Sequence, residues 1–103
     1  MPSKNQLSLD LATSERRNAP RREVRLAAKA GLREGAPMPC TVRNISAMGA
    51  LLEFAADVRL PKQFRISIDS AMFSAECEVR HQSGRTAGVM FITNRMEALA
   101  AFG

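Results

Sequence analysis

The 103-residue chain has no tryptophan, no tyrosine and a single histidine, His81. Without indoles or phenols it lacks the platforms on which single-stranded nucleic acids usually stack. Four of its five phenylalanines, Phe54, Phe64, Phe73 and Phe91, fall on the apolar phase of alternating segments, so they belong to a core. No nucleic acid polymer is therefore expected as a partner. Two cysteines, Cys40 and Cys77, are too far apart for a Cys-x-x-C pair, and one histidine adds little, so no metal site is expected. Both cysteines lie on apolar phases and read as buried, reduced thiols. No apolar run approaches the roughly 18 residues of a membrane span. Residues 1–13 lack the basic-then-apolar order of a secretory signal, and the expected location is cytoplasmic. There is no glycine-rich phosphate loop, no Ser-His-Asp set and no metal cluster, so neither an enzyme nor a cofactor is expected.

Lysine is also scarce. Twelve arginines stand against three lysines in a chain of net charge +5. That choice favours planar, bidentate recognition over diffuse charge balance. The arginines cluster: Arg16, Arg17, Arg21, Arg22 and Arg25 share a short stretch with only Glu15 and Glu23. A basic segment of this kind attracts phosphates. A second polar segment, Asn44-Ile45-Ser46-Ala47-Met48-Gly49, lies between two apolar alternating runs. One segment offers guanidinium forks. The other offers short polar side chains and a glycine. They read as two halves of a receptor for a small, flat, anionic ligand. Taken alone, the Asn44–Gly49 segment reads first as an ordinary turn whose side chains bond their own backbone, and the ligand reading leads only in combination with the arginine segment.

At this length the chain forms one domain with a modest core. Residues 1–14, with Leu7, Leu9 and Leu11 alternating, read as a flexible arm, and residues 15–21 as an extended basic linker, because Pro20 disfavours helix at Ala19. From Arg22 onward the period is two. Val24, Leu26, Ala28 and Ala30 share one face; so do Cys40, Val42 and Asn44; then Ala50, Leu52 and Phe54; Phe64, Ile66 and Ile68; Phe73, Ala75, Cys77 and Val79, with His81 continuing that row; and Ala87, Val89 and Phe91. Ser83-Gly84-Arg85 reads as a tight hairpin turn. Asn94 is placed to cap a final helix over about 94–102, with Met96, Leu99, Ala100 and Phe102 at helical spacing. Six short one-sided strands with hairpin-length connections predict a mainly β fold, a six-stranded antiparallel barrel with a short C-terminal helix.

Arg17-Asn18-Ala19-Pro20-Arg21 has the form R-x-x-x-R, and Asn44 to Gly49 the form (D/N)-x-S-x-x-G. With the closing Gly88-Val89-Met90-Phe91, their order and separation resemble the PilZ domain, a bacterial receptor domain for cyclic di-GMP, over roughly residues 15–92. The resemblance implies that Arg17 and Arg21 grip guanine edges and phosphate, and that Arg16 stacks or bridges and influences whether one ligand or an intercalated pair is held. It places Asn44, Ser46 and Gly49 on the barrel wall beneath the ligand. The chemistry agrees: guanine presents O6 and N7 acceptors to an arginine fork, and phosphate accepts from the same fork. Two positions depart from the pattern. Asn44 replaces the family's frequent Asp, and His81 stands where a tryptophan is common, so His81 is expected as a rim residue without a ligand role. The implied function is a receptor or adaptor that changes its linker and its partner surface on binding, with an unidentified downstream protein, as a monomer or weak homodimer. The alternative is a PilZ-like protein-interaction adaptor that no longer binds nucleotide.

Overall fold

The computed structural model describes residues 20–103. The expectations for the arm, and for Arg16 and Arg17 of the linker, lie outside the described residues. Six strands follow one another: β1 (Arg22–Gly31), β2 (Met38–Ile45), β3 (Gly49–Glu53), β4 (Gln63–Ile68), β5 (Phe73–Ser83) and β6 (Thr86–Phe91), with a 3-10 turn at Asp69–Ala71 and a closing helix α1 (Arg95–Phe102). All pairings are antiparallel, and the strands close into a barrel in the order β1-β2-β3-β6-β5-β4. The six-stranded barrel with a C-terminal helix is the fold the alternating pattern predicts.

A six-stranded barrel has a narrow interior, and its inward rows mix small and large side chains to fill it. Ala30, Ala50, Ala75 and Ala87 are fully buried beside Leu52, Ile66, Ile68, Phe64 and Phe91. Phe73 links the barrel to the helix. Its ring meets Phe91 edge-on at 5.1 Å between centroids and Phe102 at 5.3 Å. Such aromatic contacts are worth about 0.5–1.5 kcal/mol each beyond area burial. The β5–β6 hairpin turns at Gly84 (φ 58°) and Arg85; positive φ at the first central residue alone is the type II′ pattern that suits the strands' twist.

Three details differ from the sequence reading. In β2 the expected inward row ended at Asn44. A register shift between Val42 and Asn44 against β3 resets the phase, so Ile45 is buried and Asn44 is half-exposed on the outer wall. In β5 a second shift between Val79 and His81 takes His81 off the inward row, and its side chain is exposed. A bulge adds one residue to one strand and flips every side chain beyond it, with no residue-type signal. The helix also packs differently. Ala98 and Phe102 are its buried residues, while Met96 and Leu99 are exposed. Asn94 precedes the helix in a left-handed conformation (φ 56°) but makes no side-chain cap. Its amide donates instead to the Ser74 carbonyl at 2.6 Å, tying the helix start to β5.

Candidate functional site

The β2–β3 connection is built by Ser46. Its residue is buried, and its Oγ accepts from the Met48 and Gly49 backbone N–H groups at 3.1 and 3.3 Å. The Ser46 N–H donates to the Gly49 carbonyl at 2.9 Å, and the Met48 carbonyl accepts from Phe91 N–H at 2.9 Å. The turn is thus fixed internally and fastened to β6. Ser46 gives its acceptor capacity to the backbone and keeps its hydroxyl proton for another oxygen.

Gly49 is needed for close strand approach. A Cβ there would run into the Val89 carbonyl oxygen of β6. Its φ is not positive, so of the two roles open to it in the sequence, close backbone approach is the one the fold uses.

The two polar segments meet at one bond. Arg21 Nη1 donates to Asn44 Oδ1 at 2.6 Å across 23 residues of sequence. The bulge that turned Asn44 outward makes this contact geometrically available. Asn44 keeps its amide N–H donors, and Arg21 keeps the rest of its fork. The neighbouring Arg22 donates to the Gly103 carbonyl at 3.3 Å, placing the start of β1 against the end of α1. Other arginines are engaged differently. Arg43 is held by Glu53 at 2.6 Å, with Arg85 at 3.8 Å from the same carboxylate. The hydrogen bond from Arg43, and the positive charge of Arg43, Arg85 and Arg25, hold the pKa of Glu53 below the usual carboxylate range. Arg21, by contrast, meets a neutral amide, so its charge is not cancelled by that partner.

Strand register extends the surface around Asn44. Asn44 pairs with Leu51, Leu51 with Gly88, and Gly88 with His81, forming one row across β2, β3, β6 and β5. The imidazole of His81 lies over Gly88, in the space where a Cβ would stand. Sequence reasoning missed this row, since it depends on both bulges; the bare backbone of Gly88 was its one trace in the sequence. The structure therefore brings together Arg21, Asn44, Ser46 and Gly49 and adds the Leu51–His81 row beside them. Arg16 and Arg17 precede the described residues.

Both cysteines are free and buried. Burial raises the Cys40 thiol to about 11; for Cys77, burial first, then the charges of Glu76 and Cys40, raise it to about 12. Neither forms the nucleophilic thiolate near neutral pH. No helix among the described residues is long and apolar enough to cross a membrane.

Comparison with known proteins gives one assignment. The family profile of the PilZ domain matches residues 15–102. A search of curated proteins returned no significant relative.

Proposed function

The chain belongs to the PilZ domain family, and from that premise we propose that it is a cytoplasmic receptor for cyclic di-GMP that performs no chemistry of its own. The observation that carries this reading is the Arg21–Asn44 bond at 2.6 Å, which joins the arginine segment to the barrel wall where the ligand is to lie.

In this reading Arg21 and Arg17 present their forks to guanine O6 and N7 and to phosphate oxygens. Arg16 stacks on or bridges the bases. Asn44 meets a guanine edge with its free amide. Ser46 and Gly49 hold the turn and let the ligand approach, the hydroxyl proton of Ser46 being the group left for a phosphate. Binding draws the linker onto the barrel. Because Arg22 touches the Gly103 carbonyl, that movement also changes the surface offered at the end of α1, which is what a downstream protein reads. An adaptor without nucleotide binding is the second reading. The intact Arg17-x-x-x-Arg21 spacing favours the receptor.

Calorimetric titration of the full chain with cyclic di-GMP tests the proposal. Saturable binding is expected. Absence of heat and of amide shift changes at millimolar nucleotide defeats it and leaves the adaptor reading.

A further inference from the structure

The barrel closes unevenly. β1 is joined to β4 by three residue pairs, Lys29↔Ser67, Ala30↔Ile66 and Gly31↔Arg65. From Arg22 to Ala28 the strand neighbour of β1 is β2 alone. β5 overhangs its pairing with β4 in the same way, but there the loop before β4 covers it. Val79 N–H donates to the Lys62 carbonyl at 2.8 Å, Leu60 N–H donates to Gln82 Oε1 at 3.0 Å, and Gln82 Nε2 donates to the Leu60 carbonyl at 3.3 Å. Over Arg22–Ala28 no such backbone bond forms among the described residues. Alternate residues of an antiparallel strand direct their N–H and C=O groups to opposite sides, so part of this segment presents unpaired groups along an edge.

A groove of about 570 Å³ opens at this seam, lined among others by Arg25, Leu26, Ala28, Lys29, Cys40 and Asp69. Its two faces differ. On the inward row Ala28 and Ala30 are buried, but Val24 and Leu26, beyond the reach of β4, are only half-buried. On the outward row Glu23, Arg25, Ala27 and Lys29 are exposed, with the two basic residues at the groove and Glu23 beyond its lining.

We propose that this open edge of β1 is a strand-addition site for an extended segment of a partner protein in which apolar and acidic residues alternate. A strand laid beside β1 satisfies the free backbone groups. Its inward side chains complete the cover over Val24 and Leu26, and its outward carboxylates meet Arg25 and Lys29. A second copy laid antiparallel about Leu26 would set Glu23 against Lys29 in both directions, so it is the competing occupant that the test has to exclude. None of the groove residues belongs to the proposed nucleotide site.

A fluorescein-labelled peptide, Val-Glu-Val-Asp-Val-Glu-Val, is titrated into the full chain by anisotropy, beside a peptide with lysine at each acidic position. The assay contains no nucleotide, so it fails or succeeds independently of the receptor reading. Saturable binding of the acidic peptide is expected, at least about tenfold tighter than the lysine peptide. Hydrogen exchange slows over 22–28 when it binds. The double variant Arg25→Glu/Lys29→Glu, whose changes are on exposed side chains, is expected to reverse the preference. Equal affinity for the two peptides overturns the proposal. So does no binding at millimolar peptide, or slow exchange in the unliganded chain of those amides of 22–28 that point away from β2, which would mean that the edge is already filled by residues 1–19 or by a second copy.

Discussion

Arg21 and Asn44 are 2.6 Å apart through their side chains although 23 residues separate them in sequence. The bond lies at the surface, so it contributes little to folding, on the order of 1 kcal/mol or less. Its importance is positional. It parks a guanidinium over the turn that Ser46 organises. It also spends one Arg21 N–H on a neutral oxygen that a charged ligand can readily replace, since bonds to ionised acceptors are roughly twice as strong.

Arg21→Ala is therefore expected to leave thermal unfolding nearly unchanged while lowering cyclic di-GMP affinity about 100-fold, the loss of two charge-assisted bonds at about 1.5 kcal/mol each. Asn44→Ala removes one neutral contact and is expected to cost about three- to tenfold. Calorimetry on both variants checks the order. Wild-type affinity in Arg21→Ala would place the ligand elsewhere.

Gly49 and Gly88 both lack space for a Cβ, but for different reasons, and the difference is measurable. At Gly49 the obstacle is the backbone carbonyl of Val89, part of the β3–β6 ladder, which cannot move without breaking pairing. Gly49→Ala is expected to destabilise by about 2–3 kcal/mol or more, as overpacking does. At Gly88 the obstacle is the imidazole of His81, an exposed side chain that can rotate away. Gly88→Ala is expected to cost under about 1.5 kcal/mol. Urea midpoints of the two variants give the comparison. A similar cost at both positions would contradict the assignment of Gly49 to strand packing.

The helix yields a third contrast. Phe102 is 7 % exposed and meets Phe73, whereas Met96 is 75 % and Leu99 54 % exposed. Eight residues do not form a stable helix in isolation, so α1 depends on its packed face. Phe102→Ala is expected to destabilise by about 3 kcal/mol and to release the helix, seen as fast amide exchange over 95–102. Met96→Ser and Leu99→Ser are expected to stay within about 0.5 kcal/mol of the parent.

Most of the barrel was legible because each strand buries one face only, and a period of two records that directly. The residues of β3, β4 and β6 follow it without interruption. The bulges that move Asn44 and His81 were not legible. One residue inserted opposite β3 turned Asn44 outward, and another opposite β6 released His81; neither inserted residue is a glycine or proline, and only Gly88, facing His81 from β6, leaves a trace. The helix face was misjudged because Met96 and Leu99 are apolar, while the ring that Phe102 meets, Phe73, belongs to a distant strand. At the site, residue types and spacing identified the arginine segment and the turn. Which atoms touch, and that Ser46 first serves its own turn, depends on the tertiary path.

The buried thiols give the chain an alkaline limit with a definite sign. An unfolded cysteine ionises near 9.0, whereas in the barrel Cys40 holds its proton to about 11 and Cys77 to about 12, chiefly because burial disfavours the thiolate. As pH rises past 9 the unfolded chain loses these protons first, so it binds fewer protons than the native state and stability falls. Below 9 both states are protonated and the thiols contribute no pH dependence. Each thiol contributes a slope of about 1.4 kcal/mol per pH unit once its unfolded form is ionised. Urea midpoints measured from pH 7 to 10.5 are expected to be insensitive to these groups up to about 9 and to drop above it. The double variant Cys40→Ala/Cys77→Ala starts less stable, because it opens cavities. Its decline above pH 9 should nevertheless be shallower, since the lysines and arginines titrate alike in both proteins. Parallel declines would show that neither thiol is shielded as the barrel packing requires.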